Sequence, residues 1–143
     1  MHRDREDTDF KKTSVYKNQV MGCIFCEISK NQMILQNELV YAIYDKFPVT
    51  PLHTLVIPKR HVGTYFELGQ FEIYACHLLL QNAKHLIEEE DPLVTGFNIG
   101  INNGATAGQT IFHCHIHLIP RRNGDVENPR GGIRYIIPQK GFY

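Results

Sequence analysis

Apolar and polar residues change their period several times along the chain, and each change predicts an element. Leu39 to Asp45 is rich in aromatic and branched side chains and alternates in part, while Thr54 to Ile57 is a short apolar run stopped by Pro58; both predict strands. Between Gln70 and Glu89, Phe71, Tyr74, Ala75, Leu78, Leu79, Leu86 and Ile87 recur near a helical period, which predicts one amphipathic helix ended before Pro92. Phe97, Ile99 and Ile101 alternate with smaller or polar residues. A Gly-rich stretch from Asn102 to Gln109 follows, and Ile111 to Ile119 predicts a further strand closed by Pro120. Arg121 to Tyr143 reads as loop. Strands outnumber helices and nothing repeats in βαβ order, so the expected class is α+β: an antiparallel sheet of about five strands covered by one main helix.

Met1 to about Val20 breaks the pattern. It mixes Arg3, Asp4, Arg5, Glu6, Asp7 and Lys11 with almost no apolar periodicity, so burial cannot offset the entropy of ordering it. Residues 1–20 are therefore expected to be a disordered extension and 21–143 one domain, a size at which a single core is the default. Met21, just before the first motif, is an alternative start.

The formal net charge of +0 excludes the basic field that holds long nucleic acids nonspecifically, so a charged ligand must be held locally. Neither a long apolar run nor an apolar leader is present, so no membrane span or secretory signal is expected and the protein reads as cytoplasmic. In that setting Cys23-Ile24-Phe25-Cys26 reads as a thiolate pair for a metal or for redox chemistry, and Cys76 and Cys114 as small apolar residues.

The strongest chemical signal is His113-Cys114-His115-Ile116-His117. Successive side chains of a strand point to opposite faces, so the three histidines share one face while Cys114, Ile116 and Leu118 fill the core. Three aligned imidazoles are costly in an apolar interior, which leaves metal binding or acid–base and nucleophilic chemistry. A neutral imidazole is a competent nucleophile near pH 7 when one ring nitrogen donates its proton to a hydrogen bond and the other faces the electrophile; His115 is placed for that role. The Gly-rich segment Gly104 to Thr110, with Gly108, can turn backbone N–H groups toward an anion, and the side chains of Gln109 and Thr110 can add donors. A plain hairpin connection is the competing account. His77 and His85, on the predicted helix, are assigned no function.

Gly108-Gln109-Thr110-Ile111-Phe112 running into His113-Cys114-His115-Ile116-His117-Leu118-Ile119 resembles the histidine-triad (HIT) nucleotide hydrolases and transferases. Cys23-Ile24-Phe25-Cys26, His53-Thr54-Leu55-Val56-Ile57-Pro58-Lys59-Arg60-His61 and Asn102-Asn103-Gly104 extend the resemblance over nearly everything after residue 20. It implies a HIT-like α+β domain, a homodimer with the sheet continued across two subunits, and attack by His115 on the α-phosphorus of a purine nucleotide. The substrate class would be a dinucleoside polyphosphate or nucleoside phosphoramidate, cleaved through a nucleotidyl-histidine intermediate with water or phosphate as acceptor. The resemblance also implies phosphate contacts from Asn102 and His117 and ribose contacts from Asp45, a residue that a turn role explains equally well. His53 is expected to line the site.

Zinc takes four ligands, and two thiolates need two imidazoles from elsewhere. The resemblance to zinc-bearing members of the family implies Cys23, Cys26, His61 and His113 as a structural site; reduced thiols near a frayed terminus are the other account. Residues Asn128 to Arg134 and Pro138 to Lys140 carry basic groups beside glycines and either fold over a leaving group or form a solvated loop. Two other readings remain: a nucleotide-binding regulatory module with little turnover, against which the intact triad argues, and a small zinc-ribbon interaction protein.

Overall fold

The computed structural model describes residues 19–143, so the expected disordered extension falls, up to residue 18, outside the described residues. Five strands form one antiparallel sheet: β1 (Leu35–Gln36), β2 (Val40–Tyr44), β3 (Thr54–Pro58), β4 (Val94–Gly100) and β5 (Ile116–Arg122), in the order β1-β2-β3-β5-β4. One long helix, α1 (Gln70–Glu90), packs on β1, β2 and β3. The α+β class with one sheet and one covering helix is the expected one. The two-residue β1 had no periodic signal to give.

Burial on both faces explains why β2 and β3 read as apolar runs rather than strict alternations. Val40, Ala42 and Val56 pack with Ala75, Cys76 and Leu79 of α1. Tyr41, Ile43, Leu55 and Ile57 pack with Phe25, so the Cys-x-x-Cys segment covers the opposite face. The Tyr41 hydroxyl donates to the Phe25 carbonyl and ties that segment down.

The helix ends where expected, but its buried stripe is Glu72, Ala75, Cys76, Leu79, Ala83 and Ile87. Phe71 and Tyr74, counted on the apolar stripe, are 75% and 61% exposed. Apolar residues cover two adjacent faces of α1, and periodicity alone cannot say which one the sheet takes. The sheet takes the face of Ala75, Cys76, Leu79, Ala83 and Ile87. Glu72 is buried with its charge met: it accepts from Arg60 at 2.7 Å and from the Gly69 N–H at 2.9 Å, at the start of the helix.

The predicted strand Ile111–Ile119 is displaced. Regular pairing begins only at Ile116 and runs through Pro120 to Arg122. His113 and His115 precede the ladder although the register of β3 would set His115 opposite Ile57; Cys114 N instead donates to the Val62 carbonyl, on the segment after β3, at 2.7 Å. Pro120 is tolerated because β3 begins at Thr54, which pairs with Leu118, so β5 has outrun β3 at that point. Its carbonyl, on that open side, accepts from the Thr50 hydroxyl at 2.6 Å, and no N–H is required there.

Candidate active site

Hydrogen-bond partners decide which nitrogen of each imidazole holds the proton. A carbonyl only accepts, so His115 Nδ1, 2.8 Å from the His113 carbonyl, carries the proton, and Nε2 is left as a lone pair. A backbone N–H only donates, so His53 Nδ1, 3.0 Å from Val49 N, is the acceptor, and the neutral ring holds its proton on Nε2. That nitrogen lies 3.0 Å from His117 Nδ1, which must accept; His117 therefore holds its own proton on Nε2. Two neighbouring rings, with centroids 5.2 Å apart, thus present opposite functions: a lone pair on His115 and an N–H on His117. Burial, followed by the neighbouring His115 and His53, pushes His117 down to about 4, so it is neutral at pH 7. Burial lowers His53 as well, against the opposing pull of Asp45, whose carboxylate lies 3.6 Å away.

His115 and His117 form part of the wall of a cavity of about 480 Å³. Asp45, Asn102, Gly108 and Thr110 line its polar side; Ile24, Phe25, Ile28, Ile43 and Leu55 line its apolar side. Phe25 meets the rings of His113 and His115 edge-on, with centroids 5.9 and 5.1 Å away. Gly108 has φ 94°, a left-handed conformation that brings the backbone to the wall without a side chain in the way. A second cavity, of about 460 Å³, lies between β4 and the segment after β5 and shares no lining residue with the first. Its arginines are engaged, Arg121 with Asp125 and Asn98 and Arg122 with Asp91.

Cys23, Cys26, His61 and His113 bring four ligand atoms within 4.8 Å of one another. His113 Nε2 donates to the Pro58 carbonyl at 2.7 Å, which turns the unprotonated Nδ1 toward both thiols, each 3.5 Å away. His61 Nδ1 stands 3.2 Å from Cys26 Sγ and 3.1 Å from His113 Nδ1. Tetrahedral zinc with ordinary bond lengths places N and S ligands about 3.3–3.8 Å apart; the two His113–thiol separations fall in that range and the two from His61 lie slightly below it. Burial lowers His113 to about 4, which keeps it in the neutral, ligating form. Asp45, His53 and His117 also converge within 4.8 Å, but the same test rejects a metal there. A metal on His53 Nε2 would move that ring's proton to Nδ1, facing the Val49 N–H donor to donor. His53 and His117 form a hydrogen-bonded relay, with the Asp45 carboxylate beside it, 3.6 Å from His53 Nε2.

The HIT domain family matches residues 27–124 of the chain. The chain belongs to the HIT family. It is 41% identical over 110 residues to an uncharacterized HIT-like protein of Mycoplasma genitalium, covering 73% of this chain and 77% of that one. It is 36% identical to the adenylylsulfatase HINT3 of Arabidopsis thaliana over 72% of this chain and 54% of that protein. Among solved structures it resembles a zinc-bound histidine triad family protein from Mycobacterium smegmatis, with TM-score 0.68, 36% identity and coverage of 76% and 81%.

In this HIT chain, the fold brings Asp45, Asn102, Gly108, Thr110, His115 and His117 to one cavity and sets His53 directly behind His117. Gln109 departs from expectation. Its side chain is buried, both amide hydrogens are spent on the Gly63 and Ile111 carbonyls, and its oxygen accepts from Gly104 N, so it clamps the loop and has no donor free for a phosphate. Asp45 takes the turn role, Oδ1 accepting from Phe47 N, and stands on the cavity wall with Oδ2 facing His53. The basic C-terminal segment lines none of the first cavity; it folds as short turns against β4, with Arg130 and Arg134 over the Tyr143 ring. The apolar wall went unread, although Ile24 and Phe25 lie between the two cysteines.

Proposed function

We propose that the chain is a nucleotide hydrolase or nucleotidyl transferase acting at the α-phosphate of a purine nucleotide. The observation that carries this reading is the opposite proton placement on His115 and His117 in one cavity wall. The Nε2 lone pair of His115 attacks the α-phosphorus, and the bond from phosphorus to the leaving oxygen or nitrogen breaks. His117 Nε2 gives its proton to the departing group, and the negative charge left on its ring is matched by the positive charge that His115 gains by bonding through Nε2 with Nδ1 still protonated. In the second half, water or another acceptor attacks the phosphoramidate, passes its proton to His117, and the P–N bond to His115 breaks. The backbone N–H and hydroxyl of Thr110 and the Asn102 side chain, on the cavity wall, meet the phosphate oxygens. The apolar wall takes the base, and the free oxygen of Asp45 takes a ribose hydroxyl. The name of the adenylylsulfatase relative supports an adenylyl group as the transferred half.

Cys23, Cys26, His61 and His113 would hold one zinc, which supplies folding energy rather than chemistry. A homodimer joined along β4 fits this reading, because β4 is an outer strand of the sheet and Ile99 on it is half exposed. Sedimentation at the mass of one chain would exclude that dimer. Among the described residues no helix is long and apolar enough to cross a membrane.

The direct test screens dinucleoside polyphosphates, nucleoside phosphoramidates and adenylyl sulfate, quenches turnover in base and maps the nucleotide adduct by mass spectrometry. The expected site is His115, with His115→Ala retaining nucleotide binding but losing turnover by several orders of magnitude. An adduct elsewhere, or normal turnover by His115→Ala, defeats the reading.

A further inference from the structure

We propose that the turn Thr50–His53 is a strained support that keeps His53 in line with His117, with Thr50 and Arg122 as its positioning residues. The proposal rests on the reading of His117 as proton donor. Leu52 has φ 69°, the one positive φ outside glycine among the described residues. His53 N donates to the Thr50 carbonyl at 3.1 Å, closing a four-residue turn with Pro51 second and Leu52 third. The third place of such a turn takes positive φ, and glycine or asparagine ordinarily fills it. A branched side chain held there persists only where its surroundings over-determine it.

The surroundings do so from several directions. The Thr50 hydroxyl donates to the Pro120 carbonyl at 2.6 Å. Arg122 Nη2 donates to the Pro51 carbonyl at 3.0 Å, while its Nε is held by Asp91 at 2.8 Å. The Thr54 hydroxyl donates to the Leu52 carbonyl at 2.9 Å, and the Leu52 side chain packs at the cluster of Ala83, Ile87, Val94 and Leu118. The next residue is His53, which makes 3.0 Å hydrogen bonds in two directions, to Val49 N and His117 Nδ1. Relaxation of φ at Leu52 turns the peptide leading into His53 and takes its ring out of that line. His117 then loses the donor that fixes its tautomer, and its proton divides between the two ring nitrogens.

Thr50→Val and Arg122→Met each remove one anchor from a different side, and Leu52→Gly supplies a residue that reaches positive φ unaided. Nitrogen-15 spectra of the imidazoles in the full chain, near neutral pH, are expected to move His117 from the Nε2–H form to a mixture in both anchor variants. For a phosphoramidate with an alkylamine leaving group, kcat should fall on the order of 10²-fold with KM little changed. A substrate whose leaving group departs without a proton should be barely affected. Adding Leu52→Gly to either anchor variant should restore the tautomer and most of kcat. A lowered melting temperature with the His117 tautomer intact in both variants overturns the proposal, as does a loss that Leu52→Gly restores in neither background. The tautomer is read without turnover, so a wild type with His117 held as Nε2–H but inactive on every nucleotide counts against the proposed function and not against the turn.

Discussion

His115 donates from Nδ1 to the carbonyl of His113 across 2.8 Å, while the His113 ring faces Cys23, Cys26 and His61. The peptide of one residue thus sets the tautomer of the proposed nucleophile, and its side chain belongs to the cluster suited to zinc. Because His113 precedes the regular pairing of β5, that cluster and the Pro58 carbonyl hold it in place of a sheet ladder.

Purified protein should therefore contain about one zinc per chain. His113→Ala and Cys23→Ser should lose the metal, melt lower and turn over more slowly, because metal binding is coupled to folding. His115→Ala should keep both metal and melting temperature. Elemental analysis and thermal denaturation of the three variants decide it; a metal-free chain that melts as wild type and cannot be loaded sinks the site.

His117→Ala removes the only N–H that the relay places beside His115. Turnover of a substrate with an amine leaving group should fall about 10²–10⁴-fold, the range of general acid catalysis. A substrate with a leaving group that departs as an anion should lose far less, and His53→Ala should show the same selectivity with a smaller effect. Equal losses across leaving groups would remove His117 from the acid role.

The depressed His117 also carries a sign. With a folded-state value of about 4 against an ordinary 6.5, the native chain binds fewer protons than the unfolded chain between those limits. The associated stability is fully present above pH 6.5 and is lost as pH falls toward 4. Denaturant titrations should show wild type losing stability through that window and His117→Ala losing less. Parallel pH profiles for the two proteins would contradict this.

Gln109→Ala should destabilise the chain by roughly 1–3 kcal/mol, because Gly104 N and the Gly63 and Ile111 carbonyls lose their partner. Gln109→Glu should be worse, since an acceptor would then face two carbonyls. Both should raise KM by loosening the loop beside the cavity. Chemical denaturation and steady-state kinetics measure the two effects, and wild-type stability in Gln109→Glu would refute the clamp.

Periodicity and spacing alone determined the α+β class, the extent of α1 and the alternation that sends Cys114, Ile116 and Leu118 to the core, while the residues expected around the histidines came from the resemblance to the family. These follow from local geometry, because neighbours along a strand or helix have fixed relative directions. Only the tertiary structure decided which of two apolar faces α1 buries, where β5 begins, and that Gln109 is a clamp. Those outcomes depend on partners far along the chain: the sheet under α1, the Val62 carbonyl that takes the Cys114 N–H, and the Gly63 carbonyl. The proton assignments are of the same kind. Val49 N, the His113 carbonyl and the Pro58 carbonyl decide which nitrogen of each histidine is free, and a backbone group that any residue carries leaves no mark in the sequence.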